Sequence, residues 1–311
     1  MEHFVTLFNT LFLPQGLALH MSMQRHIKDY VLWILCVDDQ TYDILMKVDL
    51  PSVRLLKLSE LETPELLEVK QGRTIAEYCW TLTPFAPRFV FEADLSIHRV
   101  TYIDADIWFQ KHPHPIFDEL DTSEKYVLIT DHGYATEHDQ SETFGQYCVQ
   151  FMTFTRVGGE IVRKWWEDRC IEWCYARAEN GKYGDQKYLD DWPERFGKEV
   201  HVLQAKELTL APWNATRFPY GDAVFYHFHG LRLKTKKLLA IGNYSIPSPL
   251  HEYVYRPYYS DLRSCINLLE KNNVELESQS KNLSLVIFIL RKAYFMLMKL
   301  KHSITGNIRH Y

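Results

Sequence analysis

Several signatures that would quickly classify this 311-residue chain are missing from it. No GxGxxG or P-loop motif follows the first apolar segment, so we do not expect a glycine cradle for phosphates. No run of about 18 uncharged apolar residues occurs, so a membrane-spanning helix is not expected either. Lysine and arginine number 35 against 40 acidic residues. This balance excludes a general nucleic-acid binder, whose affinity comes from neutralised phosphates.

The cysteines and the N-terminus both bear on the compartment in which the chain works. The six cysteines form no CxxC pair, and a chain of this length needs no disulfide framework, so we expect reduced thiols. Cys170 and Cys174 could share one helix face, where packing is more common than metal binding. Glu2 replaces the basic region of a signal peptide, and Pro14 interrupts the apolar run. We therefore expect a cytoplasmic protein, or one peripheral on the inner face of the cytoplasmic membrane.

Apolar runs of strand length alternate with segments of helical spacing. The predicted strands of the first half are residues 3–8, 31–37, 53–58 and 99–103, and the predicted helices are 17–29, 41–48, 73–82 and 84–93. Strands at 126–130 and 147–154, a helix at 159–178, a helix at 186–196 and shorter extended pieces follow. This alternation predicts an α/β domain with a largely parallel central sheet. Prolines at 247 and 249 place its boundary near residue 245, which gives a catalytic domain of 1–245 and a C-terminal helical segment of 246–311.

Two carboxylates follow the predicted strand 99–103, in the segment Val-Thr-Tyr-Ile-Asp104-Ala-Asp106-Ile-Trp-Phe. We expect the chain to turn at Asp104 and Asp106, so that both carboxylates serve one site. Magnesium or manganese held by one or two carboxylates keeps coordination positions for substrate phosphates. The alternative is a solvated turn, but the apolar residues on both sides favour a diphosphate-binding site.

With this segment the chain resembles the metal-dependent GT-A fold glycosyltransferases, in particular the family eight type, which carries Tyr-Leu-Asp-Ala-Asp at this place. The resemblance covers residues 4–235 and includes three further segments in the same order: 78–84, the pair Asp185-Gln186, and His227-Phe-His-Gly230. Some bacterial envelope-polysaccharide transferases are similar to the run 184–193 as well. The resemblance implies a GT-A (Rossmann-like) mixed central sheet flanked by helices, Mn2+ or Mg2+ as the ion, and a nucleotide-diphosphate sugar as the donor.

The chain also departs from the family pattern. Trp80 stands where the family has a donor-contacting arginine, and Cys148 and Gln150 replace an Asn-x-Gly in the acceptor-side strand. The Lys-Pro-Trp that follows the late histidine in the family is absent. Arg232 could supply the missing diphosphate cation, because a guanidinium grips phosphate oxygens in two places. It could equally be a surface residue.

The metal ligands that the resemblance implies are Asp104, Asp106 and His227. His227 and His229 both lie in an extended run, and we expect at most one of them to join the carboxylates. We favour His227, with a satisfied histidine in a polar cluster as the alternative. An imidazole among oxygen ligands favours manganese somewhat over magnesium.

Asp185 and Gln186 are the catalytic candidates by resemblance, since they would orient the sugar or lie opposite the leaving group. Asp185 is also a natural helix N-cap, and the pair Asp190-Asp191 is a second candidate base. The ends of the first two predicted strands nominate Phe8, Asn9 and Asp38 for the nucleotide. The tryptophans of the segment 159–178 could stack on sugars but are more typical of a core, whereas Trp213 is a better acceptor-site candidate.

The end of the chain is strongly basic. Residues 281–311 contain six lysines and arginines and no acid, so they carry +6, which leaves −11 for the remainder of a chain whose net charge is −5. The spacing within residues 283–302 predicts an amphipathic basic helix suited to an anionic membrane surface. The alternative is docking on the catalytic domain or on a second copy, which would make a homodimer.

Together these features predict a metal-dependent glycosyltransferase that moves a sugar onto a glycan or lipid-linked glycan. Bacterial surface-polysaccharide assembly is the expected context, and the resemblance weakly favours retention at the anomeric carbon. One alternative is a haloacid-dehalogenase-like phosphatase, but that class carries Asp-x-Asp near its start with a small residue after it. Another alternative is a non-catalytic glycan- or membrane-binding scaffold on an inactive transferase fold.

Overall fold

A central sheet organises the molecule. The computed structural model describes residues 1–219, 222–235, 238–240 and 244–276. Within these ranges the strands are β1 (Glu2–Phe8), β2 (Tyr30–Cys36), β3 (Val53–Lys57), β4 (Arg99–Ile103), β5 (Ile107–Phe109), β6 (Val127–Asp131), β7 (Tyr147–Thr155), β8 (Val200–Val202), β9 (Thr209–Leu210), β10 (Phe225–His227), β11 (Arg232–Thr235) and β12 (Leu238–Ala240).

The main sheet has seven strands in the order β3-β2-β1-β4-β7-β6-β8. The first four strands are parallel to one another, β7 runs antiparallel to both β4 and β6, and β8 is parallel to β6. Most side chains of β1, β2 and β4 are buried on both faces, as the continuous apolar runs of a covered parallel sheet require. The predicted α/β class with a mixed central sheet is therefore confirmed.

Helices cover both faces of the sheet. They are α1 (Leu13–His26), α2 (Asp39–Val48), α3 (Pro64–Lys70), α4 (Ile75–Leu82), α5 (Phe85–Ala93), α6 (His114–Ser123), α7 (Ser141–Phe144), α8 (Glu160–Glu172), α9 (Trp192–Arg195), α10 (Ser248–Leu250) and α11 (Arg256–Lys271). One core cluster joins the sheet to α1, α6 and α11, and a second joins its other face to α4, α5 and α8. Burial of apolar surface on both faces is the main stabilising contribution to such a layered fold.

Two predicted helices end differently in the structure. The helix expected over 159–178 stops at Glu172, because Trp173 is extended at φ −156°. The chain then turns back, and the backbone N–H of Gly184 donates to the oxygen of Tyr175 (3.0 Å). The helix expected over 186–196 divides into a 3-10 segment, Lys187–Asp191, and the short α9, which has proline near its start. Trp166 is fully buried against Phe154 and Trp192, so the interpretation as core is confirmed for this residue.

The helical segment after residue 245 packs on the sheet domain. Tyr258, Leu262 and Leu269 of α11 belong to the same core cluster as β1, and Asp261 accepts a hydrogen bond from the indole of Trp108 (2.7 Å). Arg25 of α1 forms an ion pair with Asp261. The predicted amphipathic helix at 283–302 lies outside the described residues. Among the described residues, no helix combines the length and apolar character needed to cross a membrane.

We predict that Gly159→Ala destabilises the protein. A Cβ at residue 159 would lie 2.5 Å from the backbone oxygen of Thr155, so the junction between β7 and α8 would have to shift. We expect a loss of about 1–3 kcal/mol in the free energy of unfolding, measured by chemical denaturation. Gly72→Ala is the matched control, because the added Cβ has 3.9 Å of clearance from its nearest neighbour. Equal stability of the two variants would contradict this account of the junction.

Candidate active site

A turn after β4 and a strand pairing bring the predicted metal ligands together. The backbone N–H of Asp104 bonds to the oxygen of Gln150 (3.1 Å), and that of Ile107 bonds to the oxygen of Asp104 (3.2 Å), so the chain turns within the Asp-x-Asp segment. Strand β5 then pairs antiparallel with β10, which places Ile107 opposite His227. This turn and this pairing bring three side chains into one site: Asp104, Asp106 two residues later, and a histidine 121 residues beyond Asp106.

The ligand atoms of Asp104, Asp106 and His227 all lie within 4.8 Å of one another. The Nε2 of His227 is 3.0 Å from an oxygen of Asp106 and 3.6 Å from an oxygen of Asp104. The histidine side chain is 5% exposed and that of Asp104 is 24% exposed, so the group is buried but open on one side. Two carboxylates and an imidazole nitrogen fit Mn2+ or Mg2+ in donor type and leave room for further ligands.

The three groups perturb one another strongly. Burial raises the pKa of Asp104 despite the attraction of His227. Burial also favours the neutral acid of Asp106, but the charge and hydrogen bond of His227 outweigh it and hold the pKa of Asp106 well below its usual range. Burial lowers the pKa of His227, yet the two carboxylates raise it above its ordinary value overall. Such a concentration of negative charge is typical of a site that receives a cation.

A cavity of about 220 Å³ opens beside this group. Asp104 lines it together with Asp185 and Gln186, so the structure brings the predicted catalytic pair next to the predicted metal site. Its walls include the aromatic side chains of Trp80, Tyr134, Phe144, Tyr183, Trp213 and Tyr244. Aromatic faces with a few polar groups at the base are typical of a pocket for a small ligand such as one sugar ring.

Asp185 is 3% exposed, and its Oδ2 has no hydrogen-bond partner among the described residues. Burial raises its pKa to about 7, and the charge of Asp104 adds to this effect although Thr83 opposes it. The N-cap position of the following 3-10 helix is Gln186, so the interpretation of Asp185 as the helix N-cap is wrong. The amide nitrogen of Gln186 donates to the oxygen of Phe144 (2.9 Å).

The candidates at the ends of β1 and β2 lie together but do not line the cavity. Phe8 and Cys36 are paired at the ends of these strands, and Asn9 follows directly. One oxygen of Asp38 accepts from Thr41 at the start of α2 (2.6 Å), and the other accepts from the backbone N–H of Thr10 (3.1 Å). Asp38 therefore ties two strand ends together. A nucleotide role for Phe8, Asn9 and Asp38 stays a prediction.

Arg232 begins β11 and lies near the metal-ligand group. Its guanidinium sits over the ring of Phe12 at 5.1 Å and donates to the oxygen of Leu231. Its charge contributes to the low pKa of Asp106, after the larger effect of His227. This position is compatible with the predicted contact to a diphosphate.

Other candidates are resolved by their contacts. His229 lines the cavity beside His227 (ring centroids 5.7 Å apart), since residues two apart in extended chain share a face. Asp190 accepts from the backbone of Gln146 (2.7 Å) and Asp191 from Arg195 (2.8 Å), so both acids have partners outside the cavity, which neither of them lines. These partners depend on tertiary contacts that sequence spacing does not give.

Sequence reasoning missed two supporting residues. The hydroxyl of Tyr102 donates a hydrogen bond to Asp104 (3.0 Å). Its position two residues before the first aspartate was the available sequence signal, since residues two apart in a strand share a face. Gln150 bonds to His227 (2.8 Å). It was noted only as a departure from the family pattern, and no sequence signal linked it to a histidine 77 residues later.

Comparison with known proteins identifies relatives over most of the chain. Bacillus subtilis (strain 168) YfnD is 31% identical over 292 residues, which cover 86% of this chain and 91% of YfnD. YfnF of the same organism is 31% identical over 242 residues, or 71% of this chain and 78% of YfnF. This chain belongs to the family of YfnD and YfnF. Both relatives are described only as uncharacterized proteins, and no family model matches the chain.

Two solved structures show the fold of this YfnD-like chain. The galactosyltransferase LgtC, solved with donor and acceptor sugar analogs, superposes with a TM-score of 0.52 at 11% identity over 84% of this chain and 95% of LgtC. The apo form of the glycosyltransferase GlyE from Streptococcus pneumoniae TIGR4 gives 0.51 at 15% identity over 90% of this chain and 66% of GlyE. The expected GT-A architecture is thus confirmed, and at these identities the likeness concerns the fold alone.

We predict a pH-dependent stability difference between the wild type and Asp185→Asn. The folded pKa of Asp185, about 7, lies above the value of an unfolded aspartate, about 3.9. The neutral acid therefore contributes stability at low pH that is lost as the pH rises through 7. Measured by denaturation without divalent ions, Asp185→Asn should gain roughly 2–3 kcal/mol relative to the wild type between pH 5 and pH 8.

Asp191→Asn is the control for this comparison, because Asp191 is a half-exposed acid on the same short segment. Its stability relative to the wild type should change little over the same pH range. A difference between the wild type and Asp185→Asn that stays constant from pH 5 to pH 8 would contradict the raised pKa.

Proposed function

We propose that the chain is a metal-dependent glycosyltransferase that moves a sugar from a nucleotide-diphosphate sugar to a hydroxyl of a glycan or lipid-linked glycan. The observation that carries this proposal is the adjacency of the Asp104, Asp106 and His227 group to the cavity that holds Asp185. The cavity lies beyond the end of β4, at the edge of the sheet where ligands of α/β proteins bind. The fold shared with LgtC and GlyE supports the same reaction class.

In this proposal, Asp104, Asp106 and His227 would hold Mn2+ or Mg2+. The bound ion would act as a Lewis acid and offset the charge that grows on the departing nucleotide diphosphate. Arg232, which already acts electrostatically on Asp106, would contact the diphosphate oxygens. Fixed charges placed before reaction stabilise a transition state without reorganisation at the moment of bond cleavage.

Asp185 and Gln186 would orient the hydroxyl groups of the transferred sugar. Asp185 is suited to this task because its buried Oδ2 lacks a partner among the residues that the structure describes and can bond to a sugar hydroxyl. The aromatic walls would exclude water, which competes with the acceptor for the anomeric carbon. From the sequence resemblance, we also propose a family eight type of enzyme that retains the configuration at the anomeric carbon. We propose a role for it in the assembly of bacterial surface polysaccharide.

The proposed cellular location rests on the basic end of the chain. We propose a cytoplasmic enzyme that meets a lipid-linked acceptor at an anionic membrane surface through residues 283–302. The support is the charge of +6 on residues 281–311 together with their amphipathic spacing. A second copy of the chain is the other partner for this segment, which lies outside the described residues.

The competing functions are less well supported. A haloacid-dehalogenase-like phosphatase is not favoured, because the Asp-x-Asp segment here follows the fourth strand of a GT-A sheet. An inactive scaffold on the same fold would bind a nucleotide sugar without turnover. Hydrolysis or transfer of a nucleotide sugar by the purified chain distinguishes the enzyme from the scaffold.

We predict that a nucleotide sugar and Mn2+ together raise the stability of the protein, in a screen of UDP-, GDP-, CMP- and dTDP-sugars by thermal unfolding. A ligand at 100 times its Kd stabilises the folded state by about 2.7 kcal/mol. Asp104→Ala and Asp106→Ala should each abolish the metal-dependent part of the stabilisation and the turnover, because each removes a carboxylate ligand. Their thermal unfolding without ligand should remain cooperative.

Two controls accompany this screen. EDTA should remove the effect from the wild type, and Asp118→Asn, which changes an exposed acid on α6, should leave it intact. Wild-type turnover in Asp104→Ala or Asp106→Ala would contradict the proposed metal site.

We predict that Arg232→Gln weakens binding of the nucleotide diphosphate that the screen identifies. Loss of a hydrogen bond to a charged group costs about 1.5–3 kcal/mol, so we expect a Kd increase of roughly 10- to 100-fold by calorimetry. Arg195→Gln is the control, since Arg195 of α9 pairs with Asp191 and does not line the cavity. Unchanged nucleotide affinity in Arg232→Gln would contradict the proposed contact between Arg232 and the diphosphate.

A further inference from the structure

Gln150 is a fully buried polar residue in the middle of β7. Its side-chain oxygen lies 2.8 Å from Nδ1 of His227. We propose that Gln150 is a positioning residue that holds the His227 ring in the rotation and tautomer that a divalent cation requires. This inference rests on the proposed metal-dependent function and adds a residue that acts through His227.

The hydrogen-bond chemistry of the two side chains determines the tautomer. A neutral imidazole has one N–H and one lone pair, and an amide oxygen can only accept. Nδ1 must therefore donate to Gln150. Nε2, which lies 3.0 Å from an oxygen of Asp106, is then the nitrogen that gives up its proton and offers its lone pair when a cation binds. If the amide were turned around, Nδ1 would accept, and the proton on Nε2 would block metal binding.

Gln150 also controls the first carboxylate through its backbone. Its carbonyl oxygen accepts the N–H of Asp104 (3.1 Å), immediately beyond the β4–β7 pairing of Ile103 with Phe151. One residue of β7 thus fixes the turn that presents Asp104 and the ring that presents His227. Partners that orient a metal-binding histidine in this way typically affect metal affinity by about 10- to 100-fold.

The burial of the amide indicates a role beyond packing. The side-chain nitrogen of Gln150 is buried without a hydrogen-bond partner among the described residues, which carries an energetic cost. An apolar side chain of similar size would avoid that cost. The bond from His227 to the side-chain oxygen of Gln150 is the interaction that a methionine at this position could not make.

The test compares Gln150→Met with Gln150→Glu. Methionine keeps the length and removes the acceptor, whereas glutamate keeps an acceptor oxygen at the same reach. Mn2+ affinity is measured by electron paramagnetic resonance of free Mn2+ in the presence of UDP. We expect Gln150→Met to weaken Mn2+ binding by about 10- to 100-fold and Gln150→Glu to retain or tighten it.

Thr153→Val is the matched control on the same strand. Thr153 is also fully buried, and its hydroxyl bonds across to Thr101 of β4 (2.9 Å), away from the metal-ligand group. This variant loses one buried hydrogen bond between β7 and a neighbour, as Gln150→Met does. It should bind Mn2+ with wild-type affinity, which separates a positioning role from a general loss of strand packing.

A measurement on the wild type covers the case in which Gln150→Met fails to fold. In long-range 1H–15N spectra of the Mg2+- and UDP-bound protein, Nδ1 of His227 should carry the proton. A proton-free Nδ1, wild-type Mn2+ affinity in folded Gln150→Met, or equal losses in Gln150→Met and Gln150→Glu would each overturn the inference. Absence of Mn2+ binding by the wild type would instead overturn the proposed function.

Discussion

The pairing of β5 with β10 is the constraint on which the candidate site depends. The turn after β4 directs Asp104 and Asp106 to one side, but the third group arrives only because Ile107 lies opposite His227 in this pairing. The bond from Phe228 to the oxygen of Asp106 (2.9 Å) fixes the same register one residue further on. A slip of one residue would turn the imidazole to the other face of the strand and leave two buried carboxylates uncompensated.

The site combines this register with burial. Gln150 and Asp185 approach the carboxylates from the strand β7 and from the chain after α8, and each has a buried polar atom without a partner in the described part of the chain. A buried polar group without a partner costs stability in a folded protein, and in the proposed function a sugar hydroxyl would supply the partner of Asp185. The aromatic walls have the opposite character and keep the electrostatic interactions of the site strong by excluding water.

Sequence reasoning predicted part of this arrangement. The Asp-x-Asp segment after an apolar strand and the late His227 were identified before their contacts were known, and the structure brings them together. The end of α8 at Glu172 was missed because a helix terminus depends on where the chain must return. The location of His229 in the cavity was also missed, although residues two apart in extended chain share a face.

By itself, the sequence determined the α/β class, the order of the elements and the segment that carries two carboxylates, because periodicity and turn residues act over short stretches of chain. Only the tertiary structure decided that Gln150 contacts His227, that Asp185 is buried beside Asp104, and that Asp38 ties two strand ends together. Contacts between residues far apart in the chain depend on sheet order and register. Those are properties of the packed whole, set by which apolar faces cover one another.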